Sequence, residues 1–131
     1  MKKLYRGAAV LGLVMLAASA ALALAAAKGK EGSIEGEIVD TACFLKGEKR
    51  GAEHKKCAVA CSKDGIPTGI VDAAGKMYTI LGPSPGLAEH QAEQARITGT
   101  IFEDARAIDP RKLEIKKEGK WVEAPLPESM M

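Results

Sequence analysis

Residues 33–41 read SIEGEIVDT, and residues 96–103 read RITGTIFE. Apolar residues at every second position predict a β-strand in each stretch. Both stretches contain the pattern I-x-G-x-I, with Gly36 and Gly99 at the centre. A glycine in the middle of a strand marks a bend or a close approach of two backbones, and small closed barrels need such bends. The two stretches therefore predict two strands of a small barrel. In the first, one face carries Ile34, Gly36, Ile38 and Asp40.

The remaining elements predict a mainly β fold. Residues 68–72 (TGIVD) and 77–81 (MYTIL) flank a glycine-containing turn and predict a hairpin. Residues 87–95 (LAEHQAEQA) favour a short helix, and residues 112–123 predict a fifth and a short sixth strand. A helix between strands 3 and 4 is typical of the OB-fold, a Greek-key barrel. We predict an OB-like barrel of five to six strands, with a small α+β sandwich as the alternative.

The first two strands are separated by the most reactive part of the chain. Residues 40–65 (DTACFLKGEKRGAEHKKCAVACSKDG) contain all three cysteines and one of the two histidines. Residues 52–62 have a helix-compatible composition between Gly51 and the Asp64-Gly65 pair. We predict a Cys/His helix inserted between strands 1 and 2. A loop, FLKGEKRG, would connect it to Cys43.

The spacing within the inserted helix places three reactive side chains together. At about 100° per residue, offsets of three and seven bring His54, Cys57 and Cys61 within about 60° of one another. Cys43 follows the end of strand 1, and the connecting loop is long enough to fold the helix back over it. Two interpretations of this cluster remain open.

The first interpretation is a structural disulfide. The disulfide candidates are Cys43, Cys57 and Cys61. Cys57 and Cys61 are disfavoured as a pair, because Cβ atoms at i and i+4 of a helix lie about 5–6 Å apart and a disulfide requires about 3.5–4.5 Å. A bond from Cys43 to either one would contribute roughly 3 kcal/mol by the chain-entropy model and would leave one thiol over.

The second interpretation is a metal site. Cys43, His54, Cys57 and Cys61 would bind one ion together, since thiolate and imidazole ligands suit Cu(I) and Zn(II). The chain has no Cys-x2-Cys pair for a zinc ribbon and no Cys-x-x-Cys-His motif, so haem is not predicted.

No catalytic residue is predicted, and the sequence leans away from an enzyme. The serines lack the flanking glycines of a nucleophile elbow. A thiol-disulfide redox protein is the enzyme hypothesis that remains. His90 is predicted to be a surface residue, and Asp40 and Asp72, each after an apolar strand, to end strands or cap turns.

The N-terminus indicates export. Residues 1–27 combine a basic start, a long apolar run and an Ala-rich end, the order of a secretory signal peptide. An uncleaved signal would be the chain's only contact with a membrane. The protein is therefore predicted to be periplasmic or extracellular, with a single domain at residues 28–124 and a flexible tail at 125–131, where Pro125 and Pro127 end ordered structure.

Charge argues against nucleic acid as a partner. Loss of the signal removes three of the 19 basic residues and none of the 17 acidic ones, which leaves the mature domain about neutral. Binding to a phosphate backbone needs excess positive charge, and stacking needs aromatic residues, which form only 4% of the chain.

Three segments, GEIVDTACFLK, EHKKCAVACSKDGIPTGIVD and ITGTIFE, resemble small exported bacterial domains with an OB-like barrel and no assigned function. The resemblance runs from Glu35 to about Val122. It implies the fold, the export and the importance of the four Cys/His residues, and it implies no reaction. The expected function is a small exported binding domain that holds copper, zinc or a disulfide, with an exported redox protein or metalloprotein as its partner. The alternative is a stapled structural or interaction module.

Overall fold

The computed structural model describes residues 29–128 as a six-stranded sheet with short helical segments. The predicted signal peptide and the last three residues lie outside the described residues. The strands are β1 (Lys30–Asp40), β2 (Thr68–Asp72), β3 (Met77–Ile80), β4 (Gln94–Phe102), β5 (Ala107–Lys117) and β6 (Lys120–Ala124).

The sheet closes on itself and forms a barrel. Its strand order is β3-β2-β1-β4-β5-β6, and β3 also pairs with β5 in parallel, with Thr79 opposite Ala107 and Ile80 opposite Ile108. Five strands complete the barrel, and β6 extends it at the edge of β5. The prediction of an OB-like barrel is confirmed. The closure distinguishes this fold from the alternative, an open α+β sandwich.

The two mid-strand glycines lie where strands approach closely. A Cβ atom at Gly36 would collide with the carbonyl oxygen of Val71 on β2, and one at Gly99 would collide with that of Asp109 on β5. The pairing of β4 with β5 shifts register beside Gly99. Both glycines therefore permit the bends that the shared I-x-G-x-I pattern predicts.

An aliphatic core fills the barrel, because the inward positions of the strands are mostly Ile or Leu. Ile34 and Ile38 of β1 are both buried, as their alternation predicts. The core also contains Ile70, Tyr78, Ile80, Leu87, Ala95, Ile97, Ile108, Leu113 and Ile115.

The insertion between β1 and β2 has more helix than the sequence predicts. Helix α1 (Thr41–Gly47) occupies part of the predicted loop, because Asp40 caps its N-terminus. The helix predicted over residues 52–62 is divided into a 3₁₀ turn (Ala52–His54) and helix α2 (Lys55–Lys63). Cys43 follows the end of β1, as the sequence predicts, and it lies on this helix.

The helix between β3 and β4 is present, but it is a 3₁₀ helix over Ser84–His90 and not a helix over residues 87–95. It ends early because Gln94 already belongs to β4, where it pairs with Glu37 of β1. Ala92 takes a left-handed conformation between the two elements (φ 64°).

The segment after β6 contacts the barrel. Leu126 is partly buried against the core, and Pro127 lies close to Gly86. These two residues belong to the segment for which the sequence predicts a flexible tail. Within residues 29–128, no helix has both the length and the apolar character needed to cross a bilayer.

Side-chain contacts hold α2 against the 3₁₀ helix that follows β3. Ser62 donates a hydrogen bond from Oγ to the carbonyl oxygen of Ser84 over 2.7 Å. Lys55 Nζ lies 3.4 Å from Glu93 Oε1, and His90 Nδ1 lies 3.0 Å from Glu93 Oε2. Burial raises the pKa of Glu93, but the hydrogen bond with His90 and the charge of Lys55 outweigh it, so the net pKa is lowered.

Glu93→Gln is expected to lower the free energy of unfolding by about 1 kcal/mol or less at pH 7. A carboxyl whose pKa is lowered by folding stabilises the protein above its unfolded pKa of about 4.3. That contribution is lost as the pH falls through the folded pKa. Urea denaturation should therefore show a difference from the wild type at pH 7 that shrinks at pH 3. Exposed Glu89→Gln is the control, and a difference of equal size at both pH values would contradict the prediction.

Candidate metal centre

Asp40 contacts both α1 and the 3₁₀ turn of the insertion. It is the last residue of β1, and it is completely buried because it continues the inward alternation of that strand. Its Oδ1 accepts a hydrogen bond from the backbone N–H of Cys43 over 2.8 Å, which caps α1. Its Oδ2 lies 3.2 Å from Nε2 of His54. One carboxylate therefore holds α1 and His54 together.

The backbone brings both ends of the insertion to the end of β1. The N–H of Thr41 donates to the carbonyl oxygen of Pro67 over 3.0 Å, so α1 begins next to the residue that precedes β2. His54 closes the 3₁₀ turn that precedes α2, and its N–H donates to the carbonyl oxygen of Gly51. The positive φ of Gly51, 82°, favours glycine at this turn. The helix that carries Cys57 and Cys61 then starts beside Asp40.

The reactive side chains form two overlapping groups. The first contains Cys43, His54 and Cys57, and the second contains Asp40, Cys43 and Cys61. Within each group the potential ligand atoms all lie within 4.8 Å of one another. Two thiolates on one Zn(II) ion would be about 4 Å apart or less, so the spacing approaches that of a bound ion. The described residues thus contain a Cys/His cluster that is geometrically able to hold a metal.

The structure places all four sequence-predicted ligands in this cluster, but not in one group. Cys43 from α1 joins His54 and Cys57 in the first group, while Cys61 belongs to the second with Cys43 and Asp40. Cys43 is the member common to both.

The side chains of the cluster differ in their exposure to solvent. Cys57 is exposed, whereas Cys43 and Cys61 are half-buried. The side chain of His54 is 15% exposed and that of Asp40 is 0% exposed. A ligand from solvent would therefore meet Cys57 first.

All three cysteines are free thiols in the structure. The pKa of Cys43 is raised to about 11, first by burial and then by a hydrogen bond to Asp40 and the charge of that carboxylate. The pKa of Cys61 is also raised, first by burial and then by a hydrogen bond with Cys57. These two thiols are protonated at neutral pH. A metal ion that binds them would release their protons.

The contact between His54 and Asp40 determines which ring nitrogen is free. When Nε2–H donates to the carboxylate of Asp40, the lone pair of His54 lies on Nδ1. Carboxylates that orient metal-binding histidines in this way are common in metalloproteins. Asp40 is therefore suited to fix the tautomer and the ring orientation of His54.

Asp40 is the residue of the cluster that the sequence-based ligand set lacks. The prediction that it ends a strand and caps a turn is confirmed, and Asp72 does the same at the β2–β3 turn by accepting from the N–H groups of Ala74 and Lys76. One signal for the larger role of Asp40 was present: a carboxylate on the inward face of β1, three residues before Cys43. His90 belongs to neither group.

Comparisons with protein-family models, with curated proteins and with solved structures find no match to this chain.

Proposed function

We propose that this chain is an exported domain that binds one thiophilic transition-metal ion, Cu(I) or Zn(II), through its Cys/His cluster. The observation that carries the proposal is the convergence of three side chains from different elements. Cys43 comes from α1, His54 from the 3₁₀ turn and Cys57 from α2. Residues separated by up to 14 positions in the chain meet within 4.8 Å. Asp40, at the end of β1, contacts both Cys43 and His54.

The chemistry of the ligands favours a soft cation. Thiolates select Cu(I) and Zn(II) over hard ions such as Mg²⁺ and Ca²⁺, which prefer oxygen ligands. Asp40 is a completely buried carboxylate beside these thiols. Each thiol that loses its proton adds negative charge beside this carboxylate. A bound cation would neutralise that charge.

Zn(II) and Cu(I) would use the cluster differently. Zn(II) takes four ligands in a structural site, so it would need Cys61 or Asp40 in addition to the first group. Cu(I) is satisfied by fewer ligands and could occupy one three-residue group.

Export is inferred from the signal-peptide pattern of residues 1–27, and the donor or acceptor of the ion would then be an exported redox protein or metalloprotein.

The second candidate function is a disulfide-stapled structural module. Cys43 lies within 4.8 Å of both other thiols, so either could bond to it in an oxidising compartment. That bond would join α1 to α2 and leave one thiol over.

Metal content and affinity distinguish these candidates. The full chain, exported to a bacterial periplasm and purified without chelators, should contain about one ion per molecule. His54→Ala should weaken binding of Cu(I) or Zn(II) by up to about tenfold in a chelator competition assay, because the second group stays complete. His90→Ala is the matched control, because its ring contacts Glu93 and lies in neither group. One disulfide, one thiol and no metal under every condition would contradict the metal site.

A further inference from the structure

On the basis of the proposed metal binding, we infer that the cluster comprises two three-residue sites that share Cys43. The outer site consists of Cys43, His54 and Cys57, and it captures and exchanges the ion. The inner site consists of Asp40, Cys43 and Cys61, and it retains the ion.

The outer site is accessible to a donor. Cys57 is the exposed thiol of the three. It lies in the first turn of α2, the helix that begins directly after His54. A donor complex can contact this sulfur while the barrel and both helices stay in place. Ligand exchange requires such access, because donor and acceptor must both contact the ion during transfer.

The inner site is enclosed. Asp40 is completely buried and is oriented by its contacts with Cys43 and His54. Cys61 is half-buried one turn further along α2 than the exposed Cys57. Water and competing ligands therefore reach this side of the cluster less easily than they reach the exposed Cys57. An ion there should therefore dissociate slowly.

Cys43 allows the ion to move between the two sites. Its sulfur lies within 4.8 Å of the ligand atoms of both groups, so a Cu(I) ion can keep its bond to Cys43 throughout. As the bonds to His54 and Cys57 break, bonds to the sulfur of Cys61 and to the carboxylate of Asp40 would form in their place. The proton of the Cys61 thiol passes to the Cys57 thiolate. Copper remains Cu(I), so no oxidant or reductant is required.

Uptake and release of Cu(I) by two serine variants test this division. Cu(I) is supplied anaerobically as its bicinchoninate complex to the full chain, and transfer is followed by stopped-flow absorbance. Cys57→Ser should slow uptake by about tenfold or more and change the equilibrium affinity much less. Cys61→Ser should leave the uptake rate near that of the wild type and weaken affinity by about 10- to 100-fold through faster release.

Equal effects of the two variants on both rates, or binding of two ions per chain, would overturn the division into outer and inner sites. A wild type that takes up no Cu(I) or Zn(II) would instead overturn the proposed function itself. Circular dichroism verifies that each variant is folded. If Cys61→Ser does not fold, Cys61→Ala provides the same comparison.

Discussion

Cys43→Ser is expected to abolish tight binding of Cu(I) and Zn(II). Cys43 is the residue common to both groups, so its loss removes a thiolate from each, whereas loss of Cys57 or Cys61 leaves one group complete. Loss of a residue that only supports a ligand costs about 10- to 100-fold in affinity. For Cys43 we expect a loss of about 1,000-fold or more, equivalent to about 4 kcal/mol or more of binding free energy.

Competition with a chelator of known affinity measures this loss, and Cys57→Ser is the matched control. The fold should be retained, because Cys43 forms no disulfide in the structure and serine is a close steric replacement. A marked fall in thermal stability of the metal-free variant would instead support the stapled module, in which the bond from Cys43 contributes roughly 3 kcal/mol. Equal affinities of Cys43→Ser and Cys57→Ser would contradict a shared ligand.

Asp40→Ala is expected to lower the free energy of unfolding by about 2–3 kcal/mol. The cap of α1, in which Asp40 accepts from the N–H of Cys43, contributes about 1 kcal/mol, and the ring of His54 loses its acceptor, which costs about 1–2 kcal/mol more. For a domain of this size the melting temperature should fall by roughly 10 °C or more. Exposed Asp64→Ala, in the turn after α2, should change it little.

Asp40→Asn separates the structural role of this residue from its role at the metal, where it orients His54 and belongs to the inner site. The remaining oxygen can still accept from the N–H of Cys43 and cap α1, since asparagine is as good a cap as aspartate. Its amide nitrogen cannot accept a hydrogen bond from His54 Nε2. We expect most of the stability to be retained and the metal affinity to fall by about 10- to 100-fold. Unchanged affinity would show that Asp40 does not orient His54.

The barrel could be predicted because its signals are local. Ile34 and Ile38 alternate with glutamates on β1, and the same I-x-G-x-I pattern recurs on β4, so strand type, inward face and bend were all visible in short segments. The helical segments were predicted less well. Composition favours a helix at residues 87–95, but Gln94 pairs with Glu37 of β1, so the last residues of this segment belong to β4. Such pairing joins distant parts of the chain, so it cannot be predicted from the helix propensity of a short segment.

The sequence by itself determined the alternation that builds the barrel and the spacing that brings His54 and Cys57 together, because both follow from the periodicity of a strand or a helix. Only the tertiary structure decided that Cys43 lies between two groups and that Asp40 faces His54. Those contacts require Asp40 to end β1 at the barrel's interior, and they require α2 to pack back over that strand end. A carboxylate beside thiols in the chain becomes part of a candidate site only when folding turns it inward and buries it.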